Sequence, residues 1–251
     1  MSEAYVRIDI KNEVGYIEFF HPAHNSLPGD ILAKLVQIIT DAGRNDAIKV
    51  IVLKSGGDRT FCAGASFKEL ININDTATGK VFFSGFANVI NAMRKCPKFI
   101  IGRIQGKTVG GGVGVAASTD YCMATKFAAI KLSELNIGIG PFVVGPAIER
   151  KIGLSAMSQI AIDANSFYPA EWAKQKGLFT LVYETTEELD EAVKTTAEHL
   201  CTYNIEAMKE MKYMFWKGTE DWDTLLTERA KISGRLVLSA FTKEKLKGFK
   251  Q

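Results

Sequence analysis

The sequence predicts an α/β fold with a parallel sheet, followed by a helical C-terminal region. Two short apolar segments, residues 50–53 and 99–104, have the composition of strands buried on both faces. Each leads into a loop with glycine or other small residues and then into a helical pattern, the order of a repeated β/α unit. After Pro169 nearly all the remaining segments are helical in pattern.

The N-terminal part alternates strands and helices. Residues 5–10 and 14–20 carry the apolar alternation of two neighbouring strands. The stretch 21–28 is too rich in turn residues for regular structure. Apolar residues recur at helical spacing over 31–42, and a further helix is predicted around 83–93.

The C-terminal part differs in composition from the rest of the chain. Four helices are predicted there, over residues 171–176, 187–200, 204–217 and 221–238. We place a boundary at residue 200, between an α/β core (1–200) and a helical region (201–251). No low-complexity linker separates the two, so the helices are expected to pack on the core or on a neighbouring subunit.

Composition excludes several classes of protein. Apolar residues make up 47% of the 251 and charged residues 24%, which excludes general disorder. The net charge of +3 arises from 31 basic and 28 acidic residues, so no nucleic-acid partner is indicated. Neither a signal peptide nor an apolar run of roughly 18 residues, as a membrane helix needs, is present. A cytoplasmic protein with no membrane partner is expected.

Cysteine and histidine give little support to metal or triad chemistry. The four cysteines are scattered without paired metal-ligand spacing, and free buried thiols in a reducing cytoplasm are expected. Only three histidines occur, and His21 and His24 flank a proline. We therefore predict no metal site.

Two glycine-containing segments, residues 61–70 and 106–115, each follow a predicted buried strand. Small residues there leave backbone amides accessible where a helix begins, and unsatisfied N–H groups at a helix N-terminus suit an anionic oxygen. Two such ends facing each other form an oxyanion hole. The second segment lacks the G-x-G-x-x-G spacing of a dinucleotide site. A tight helix–sheet contact without function is the alternative for either segment alone.

These segments belong to a series of five short motifs. The series is Asn25–Leu27 (N-A-L in the family), Ala63–Ser66 (A-G-A-D), Gly106–Asp120 (G-x-x-x-G-G-G-x-E-L-A-x-x-x-D), Ser133–Pro141 (P-E-x-x-x-G-x-x-P) and Ala170–Leu178 (A-x-x-A-x-x-x-G-L). In this order and spacing the chain resembles the enoyl-CoA hydratase/isomerase (crotonase) superfamily along nearly its whole length.

The resemblance implies a crotonase-like spiral of ββα turns whose C-terminal helices, residues 201–251, build a trimer or a dimer of trimers. It implies an acyl-CoA substrate, with coenzyme A part of the substrate and no other cofactor. The backbone N–H groups of Ala65 and Gly111 would hold the thioester oxygen. The residues implied to contact coenzyme A are Ala63, Ala65, Ser66 and Phe67 at the adenine, and Lys247 with Lys243, Lys245 and Lys250 near the phosphates. For these lysines a solvated helix face is the alternative.

One departure from the family pattern bears on the reaction. Hydratases of the family use two glutamates, twenty residues apart; here the first position is Gly114 and the second is Glu134. A lone carboxyl suffices to move a proton between C2 and C4 of an enolate, whereas hydration needs a further group to activate water. We therefore predict double-bond isomerisation with Glu134 as the acid/base. Phe142 is a candidate to fill the space left at Gly114, with simple core packing as the alternative.

The sequence is also compatible with other functions. Hydration of an enoyl-CoA is the runner-up, decarboxylation is another enolate reaction, and a non-catalytic interaction or RNA-binding scaffold is the rival from a different class. Asp120 is expected to be structural. Two roles are open for five further residues, lining an acyl pocket or packing in the core. They are Phe82, Phe83, Phe86, Met93 and Phe142.

Overall fold

The computed structural model describes residues 3–248. Its strands are β1 (Tyr5–Lys11), β2 (Val14–Phe20), β3 (Val50–Ser55), β4 (Thr60–Cys62), β5 (Ile100–Ile104), β6 (Lys107–Val109), β7 (Tyr121–Thr125), β8 (Ala129–Lys131), β9 (Tyr168–Pro169) and β10 (Leu181–Tyr183). Its α-helices are α1 (Gly29–Arg44), α2 (Phe67–Leu70), α3 (Thr76–Lys95), α4 (Gly111–Ala117), α5 (Gly145–Ile162), α6 (Ala170–Gln175), α7 (Thr186–Cys201), α8 (Ile205–Phe215), α9 (Trp222–Leu236) and α10 (Ala240–Lys247), and a 3₁₀ helix spans Glu134–Ile137.

The strands form two sheets that the chain visits in turn. The six-stranded sheet has the order β1-β2-β3-β5-β7-β10 and the four-stranded sheet the order β4-β6-β8-β9. Pairing is parallel except at β1 and β9. The pairs β3–β4, β5–β6 and β7–β8 each place one strand in each sheet before a helix follows, and a parallel bridge from Leu27 to Ala65 extends the scheme to the first turn. The predicted spiral of ββα turns is confirmed.

Strand β3 shows why the apolar segments lack alternation. Val50 and Val52 belong to a cluster with residues of α7, whereas Ile51 and Leu53 belong to the main core beneath α1 and α3. Both faces of the central strands are therefore covered, and each face requires apolar side chains.

The C-terminal helices pack on the α/β core. Helix α9 packs along α3, and the two are in tight contact at Gly79 and Gly234, where a Cβ atom on Gly79 would lie 2.8 Å from Gly234 Cα. Helix α9 therefore packs on the core, one of the two alternatives predicted for the C-terminal helices. The domain boundary at residue 200 stays a prediction. Within residues 3–248 no helix is long and apolar enough to cross a membrane.

Helix α8 is held to the core by a buried carboxylate. Asp120 accepts hydrogen bonds from the backbone N–H of Ile100 (2.8 Å), from Trp216 Nε1 (3.0 Å) and from Lys212 Nζ (2.5 Å). The side chains of Lys212 and Asp120 are only 1% and 5% exposed. Asp120 therefore has the structural role that its position in the sequence suggested.

Candidate active site

The three predicted catalytic residues follow three adjacent parallel strands. Ala65 lies after β4, Gly111 after β6 and Glu134 after β8, and these strands are neighbours in the four-stranded sheet. Parallel strands end at the same edge of a sheet, so residues far apart in sequence meet there. All three line one cavity of about 390 Å³, within the usual size range of ligand sites.

Each of the two amide residues follows a glycine with left-handed backbone. Gly64 has φ +91° and precedes Ala65, and Gly110 has φ +53° and precedes Gly111. Only glycine adopts such angles without strain. The two turns are in close contact, because a Cβ atom on Gly64 would lie 3.2 Å from Val109 O and 3.8 Å from Gly111 N.

Both amides are unused within the described part of the chain. Leu27 pairs with the residues on either side of Ala65, donating to Gly64 O and accepting from Ser66 N–H, which leaves the Ala65 N–H on the other side of the strand. Gly111 is the first residue of α4, where an N–H has no partner within the helix. The site thus offers two free backbone donors on neighbouring turns, the composition of an oxyanion hole.

The carboxyl of Glu134 lies against the second of these turns. A Cβ atom on Gly110 would be 3.1 Å from Glu134 Oε1. Glu134 Oε2 is buried and has no hydrogen-bond partner within residues 3–248. Burial raises the pKa of this carboxyl to about 7, an effect opposed by the backbone N–H groups of Glu134 and Ser133. At neutral pH the group is therefore poised to take up or release a proton.

Apolar side chains form the walls of the cavity. Of the five residues for which pocket lining and core packing were both open, Phe82, Phe83, Phe86 and Phe142 line the cavity and Met93 is buried in the main core. The Phe86 ring lies directly over Gly111, where an added Cβ would come within 2.4 Å of it. Helix α10 packs Phe241 and Thr242 against Gly138, between the lining residues Ile137 and Ile139.

The side chain that fills the space at Gly114 is Val144, and the assignment to Phe142 was wrong. A Cβ atom on Gly114 would lie 2.6 Å from Val144 Cγ1. Phe142 instead packs over Gly140, where a Cβ would lie 2.7 Å from its ring. Val144 and the cavity carboxyl therefore occupy the region in which the family pattern places two carboxylates.

Only some of the residues predicted to contact coenzyme A line the cavity. Ala63, Ala65 and Phe67 line the cavity. Ser66 does not, and its side chain caps α2 by accepting from Glu69 N–H. Lys247 is exposed on α10, pairs with Glu244 at 2.8 Å and is not among the lining residues.

The remaining lysines divide in the same way. Lys243 and Lys245 are also exposed on α10, and Lys250 lies outside the described residues. The cationic residue that does line the cavity is Lys131, at the end of β8, which sequence reasoning missed. Lys131 lies at the site because β8 neighbours β6, where the Lys131 carbonyl accepts from Gly110 N–H. No motif in the sequence signals this.

Comparison with known proteins assigns the family. A family model described as enoyl-CoA hydratase/isomerase matches residues 9–250. The chain belongs to this family and is an enzyme of the hydratase/isomerase type.

Relatives of both reaction types are similar to the chain. A short-chain-enoyl-CoA hydratase of Clostridium acetobutylicum is 26% identical, over 98% of this chain and 97% of its own. A peroxisomal Delta(3,5)-Delta(2,4)-dienoyl-CoA isomerase of Arabidopsis thaliana is 27% identical, over 77% of this chain and 73% of its own. The crystal structure of an enoyl-CoA hydratase from Bacillus halodurans has the same fold, with a TM-score of 0.90 at 21% identity and coverage of 97% and 99%.

Proposed function

We propose that the protein moves the double bond of an unsaturated acyl-CoA, with Glu134 as the acid/base and the amides of Ala65 and Gly111 as the oxyanion hole. The observation that carries this proposal is the set of ionisable groups in the cavity. Among the lining residues in the described part of the chain, Glu134 is the one carboxyl and Lys131 the one cation. A single carboxyl can move a proton between two carbons.

The proposed steps conserve all atoms of the substrate. The Glu134 carboxylate takes a proton from C2 of a 3-enoyl-CoA, and the electron pair moves through the thioester to its oxygen. The resulting dienolate is held by the two amides, each worth roughly 3–4 kcal/mol in comparable sites. Glu134 then returns the proton to C4, which gives the 2-enoyl-CoA. No metal and no cofactor besides the substrate's own coenzyme A takes part.

Val144 supports isomerisation over hydration. Hydration needs a second polar group to hold and activate water. The place available for such a group, beside Gly114, is filled by an isopropyl side chain that is 3% exposed. Water near the enolate would find an apolar wall on that side, so proton return to carbon is the favoured outcome.

Hydration of an enoyl-CoA is the second candidate. The specific observation in its favour is the likeness along nearly the whole chain to the Clostridium acetobutylicum short-chain-enoyl-CoA hydratase. Under this alternative, Glu134 alone would activate water. Rapid hydration of crotonyl-CoA by the wild-type protein would favour it.

Glu134→Gln tests the assigned role. The substitution keeps the shape of the side chain and removes its exchangeable proton, so turnover of a 3-enoyl-CoA should fall by roughly 10²–10⁴-fold while thioester binding changes little. Exchange of the C2 proton with deuterated solvent should fall in parallel. Glu149→Gln, which changes an exposed carboxyl on α5, is the control and should keep full turnover. Undiminished turnover in Glu134→Gln would refute the assignment.

The remaining expectations extend this proposal. We place the adenine of coenzyme A near the main chain of Ala63 and Phe67, with Ser66 positioning α2, and its phosphates within reach of the α10 lysines including Lys247. We propose a homotrimer or a dimer of trimers. The four free thiols, Cys62, Cys96, Cys122 and Cys201, are all buried, and a reducing cytoplasm would suit them.

A further inference from the structure

A groove open to solvent lies next to the candidate active site, behind Phe82, and exposed residues such as Ala33 and Val81 form part of its lining. It has a volume of about 550 Å³ and lies between α1 and α3, and we refer to it as the α1–α3 groove. Its apolar lining includes Ala33, Val36, Ile73, Val81, Phe82 and Gly85. Gly85 allows the two helices to approach here, since a Cβ on it would lie 2.7 Å from Leu32 Cδ1.

Phe82 belongs to the linings of both cavities. Its ring meets that of Phe83 edge to face, with centroids 5.0 Å apart and an interplanar angle of 89°. Phe83 lines the active-site cavity and not the groove. The Phe82 side chain is therefore a partition between the two spaces, whereas Phe83 is a wall of one of them.

We propose that the α1–α3 groove is the binding site for the distal end of a long acyl chain, and that Phe82 restricts access to it. The inference rests on the proposed acyl-CoA function. Beyond that function, it assigns the chain-length preference of the enzyme to one residue, Phe82. The occupant is argued from continuity: an alkyl chain that outgrows the active-site cavity meets Phe82, and the space beyond it is lined by further apolar groups.

The polar groups of the groove fit this occupant. Glu69, Asn72 and Asn88 also line the groove. The carboxylate of Glu69 already accepts from Gly29 N–H, at 3.0 Å, and the side chain of Asn72 donates to Lys68 O, at 2.9 Å. An alkyl chain can thus enter without breaking the hydrogen bonds that Glu69 and Asn72 make.

Binding of saturated acyl-CoAs tests the proposal, because these ligands do not undergo the reaction. Calorimetry would give Kd for butyryl-, octanoyl- and dodecanoyl-CoA, below their micelle concentrations. Each methylene removed from water strengthens binding about fourfold. For the wild type, the gain should stop once the chain fills the active-site cavity. For Phe82→Ala, the ratio of butyryl- to dodecanoyl-CoA Kd should exceed that of the wild type at least tenfold.

Two control variants distinguish the groove from a general enlargement. Phe83→Ala removes a ring of the same size from the active-site cavity without opening the groove, so whatever chain-length gain it gives should persist in the Ala33→Phe background. Ala33→Phe places a ring in the groove at an exposed position of α1, and in the Phe82→Ala background it should abolish the gain. Phe82→Leu, a milder truncation, should shift the ratio in the same direction if Phe82→Ala folds poorly.

The outcomes are separable from those of the proposed function. Acyl-CoAs that bind with the same chain-length profile in wild type and both Phe82 variants would overturn the partition alone. A gain in Phe82→Ala that survives Ala33→Phe would show that the chain end lies elsewhere. Absence of any acyl-CoA binding would instead contradict the proposed function.

Discussion

Burial of the Glu134 carboxyl explains how an ordinary side chain becomes useful near neutral pH. Removal of its oxygens from water disfavours the charged form, and this raises the pKa to about 7. A base with a pKa near the operating pH combines a substantial ionised fraction with enough strength to remove a proton from carbon. The Oε2 atom of Glu134 has no hydrogen-bond partner within residues 3–248, so no donor competes with a proton for that oxygen.

The pH dependence of turnover follows from this pKa. Because the raised pKa keeps Glu134 protonated below about 7, and only the carboxylate can accept the C2 proton, kcat/KM should fall about tenfold per pH unit below that value. Above it, kcat/KM should level off. A pH–rate profile on a 3-enoyl-CoA measures this. A profile that instead falls as pH rises through 7 would mean that the protonated form acts first.

The contact between Gly114 and Val144 gives a second prediction. Gly114→Glu alone should add little hydratase activity, because its Cβ would lie 2.6 Å from Val144 Cγ1. Combined with Val144→Gly, which vacates that space, it should raise crotonyl-CoA hydration by at least roughly tenfold, as a second acid/base group can. Val144→Gly alone is the control and should give no gain. Equal rates in the single and double glutamate variants would show that Val144 is not the obstacle.

The sequence predicted some of the residues at the site and missed others. Glu134, Ala65 and Gly111 were inferred from motifs and meet at one cavity, because their strands end side by side. Val144 was missed in favour of the bulkier Phe142. The turn before α5 decides which of these two apolar side chains faces Gly114. No periodicity in the sequence predicts the conformation of that turn.

Within the elements, the C-terminal helices depend on one buried ion pair as well as on apolar contact. Asp120 joins β5 to α8 through Lys212 and Trp216. A buried carboxylate that loses its cation keeps the cost of desolvation without the compensating attraction. The attachment of α8 is therefore sensitive to Lys212 although no catalytic group is near.

Lys212→Met should destabilise the fold by about 3–5 kcal/mol, since it removes the cation that is hydrogen-bonded to the buried Asp120 carboxylate. Chemical denaturation at pH 7 measures the loss. Lys209→Met, an exposed change on the same helix where the pairing with Glu206 spans 3.9 Å, is the control and should stay within about 0.5 kcal/mol. Equal stability of the two variants would contradict the role of the pair.

Helix α1 and the helices α6 to α9 were predicted from the sequence to within a few residues, whereas α3 begins at Thr76 against a predicted 83, and α5, α10 and the short strands were not predicted. Helix α7 spans Thr186–Cys201 against a predicted 187–200. Apolar residues that recur at helical spacing over several turns identify such helices. Strands β4, β6 and β8 have three residues each, too few for any period, and they are the strands that build the site.

For the molecule as a whole, the ββα spiral was inferred from the motif series and is confirmed, whereas assembly stays a proposal. Met208 of α8 and Trp216, the residue after its end, are buried. Tyr213, Met214 and Phe215 are 51%, 63% and 41% exposed. Exposed apolar groups so close together are typical of an interface.

Light scattering should therefore give the mass of a trimer or hexamer at micromolar concentration. Met214→Lys should weaken the assembly, because a charge in an apolar contact is costly to desolvate. Val81→Lys, at another exposed apolar site, is the control and should leave the mass unchanged. A monodisperse wild-type monomer would contradict the proposal.

The most direct test of the reaction is the product formed from 3-hexenoyl-CoA by the wild-type enzyme. Liquid chromatography with mass spectrometry separates the isomer 2-hexenoyl-CoA from its hydrated product, 3-hydroxyhexanoyl-CoA. With one carboxyl in the cavity and Val144 at the second position, we expect 2-hexenoyl-CoA to accumulate with little hydration. Accumulation of 3-hydroxyhexanoyl-CoA as the main product would contradict the account and assign water activation to Glu134.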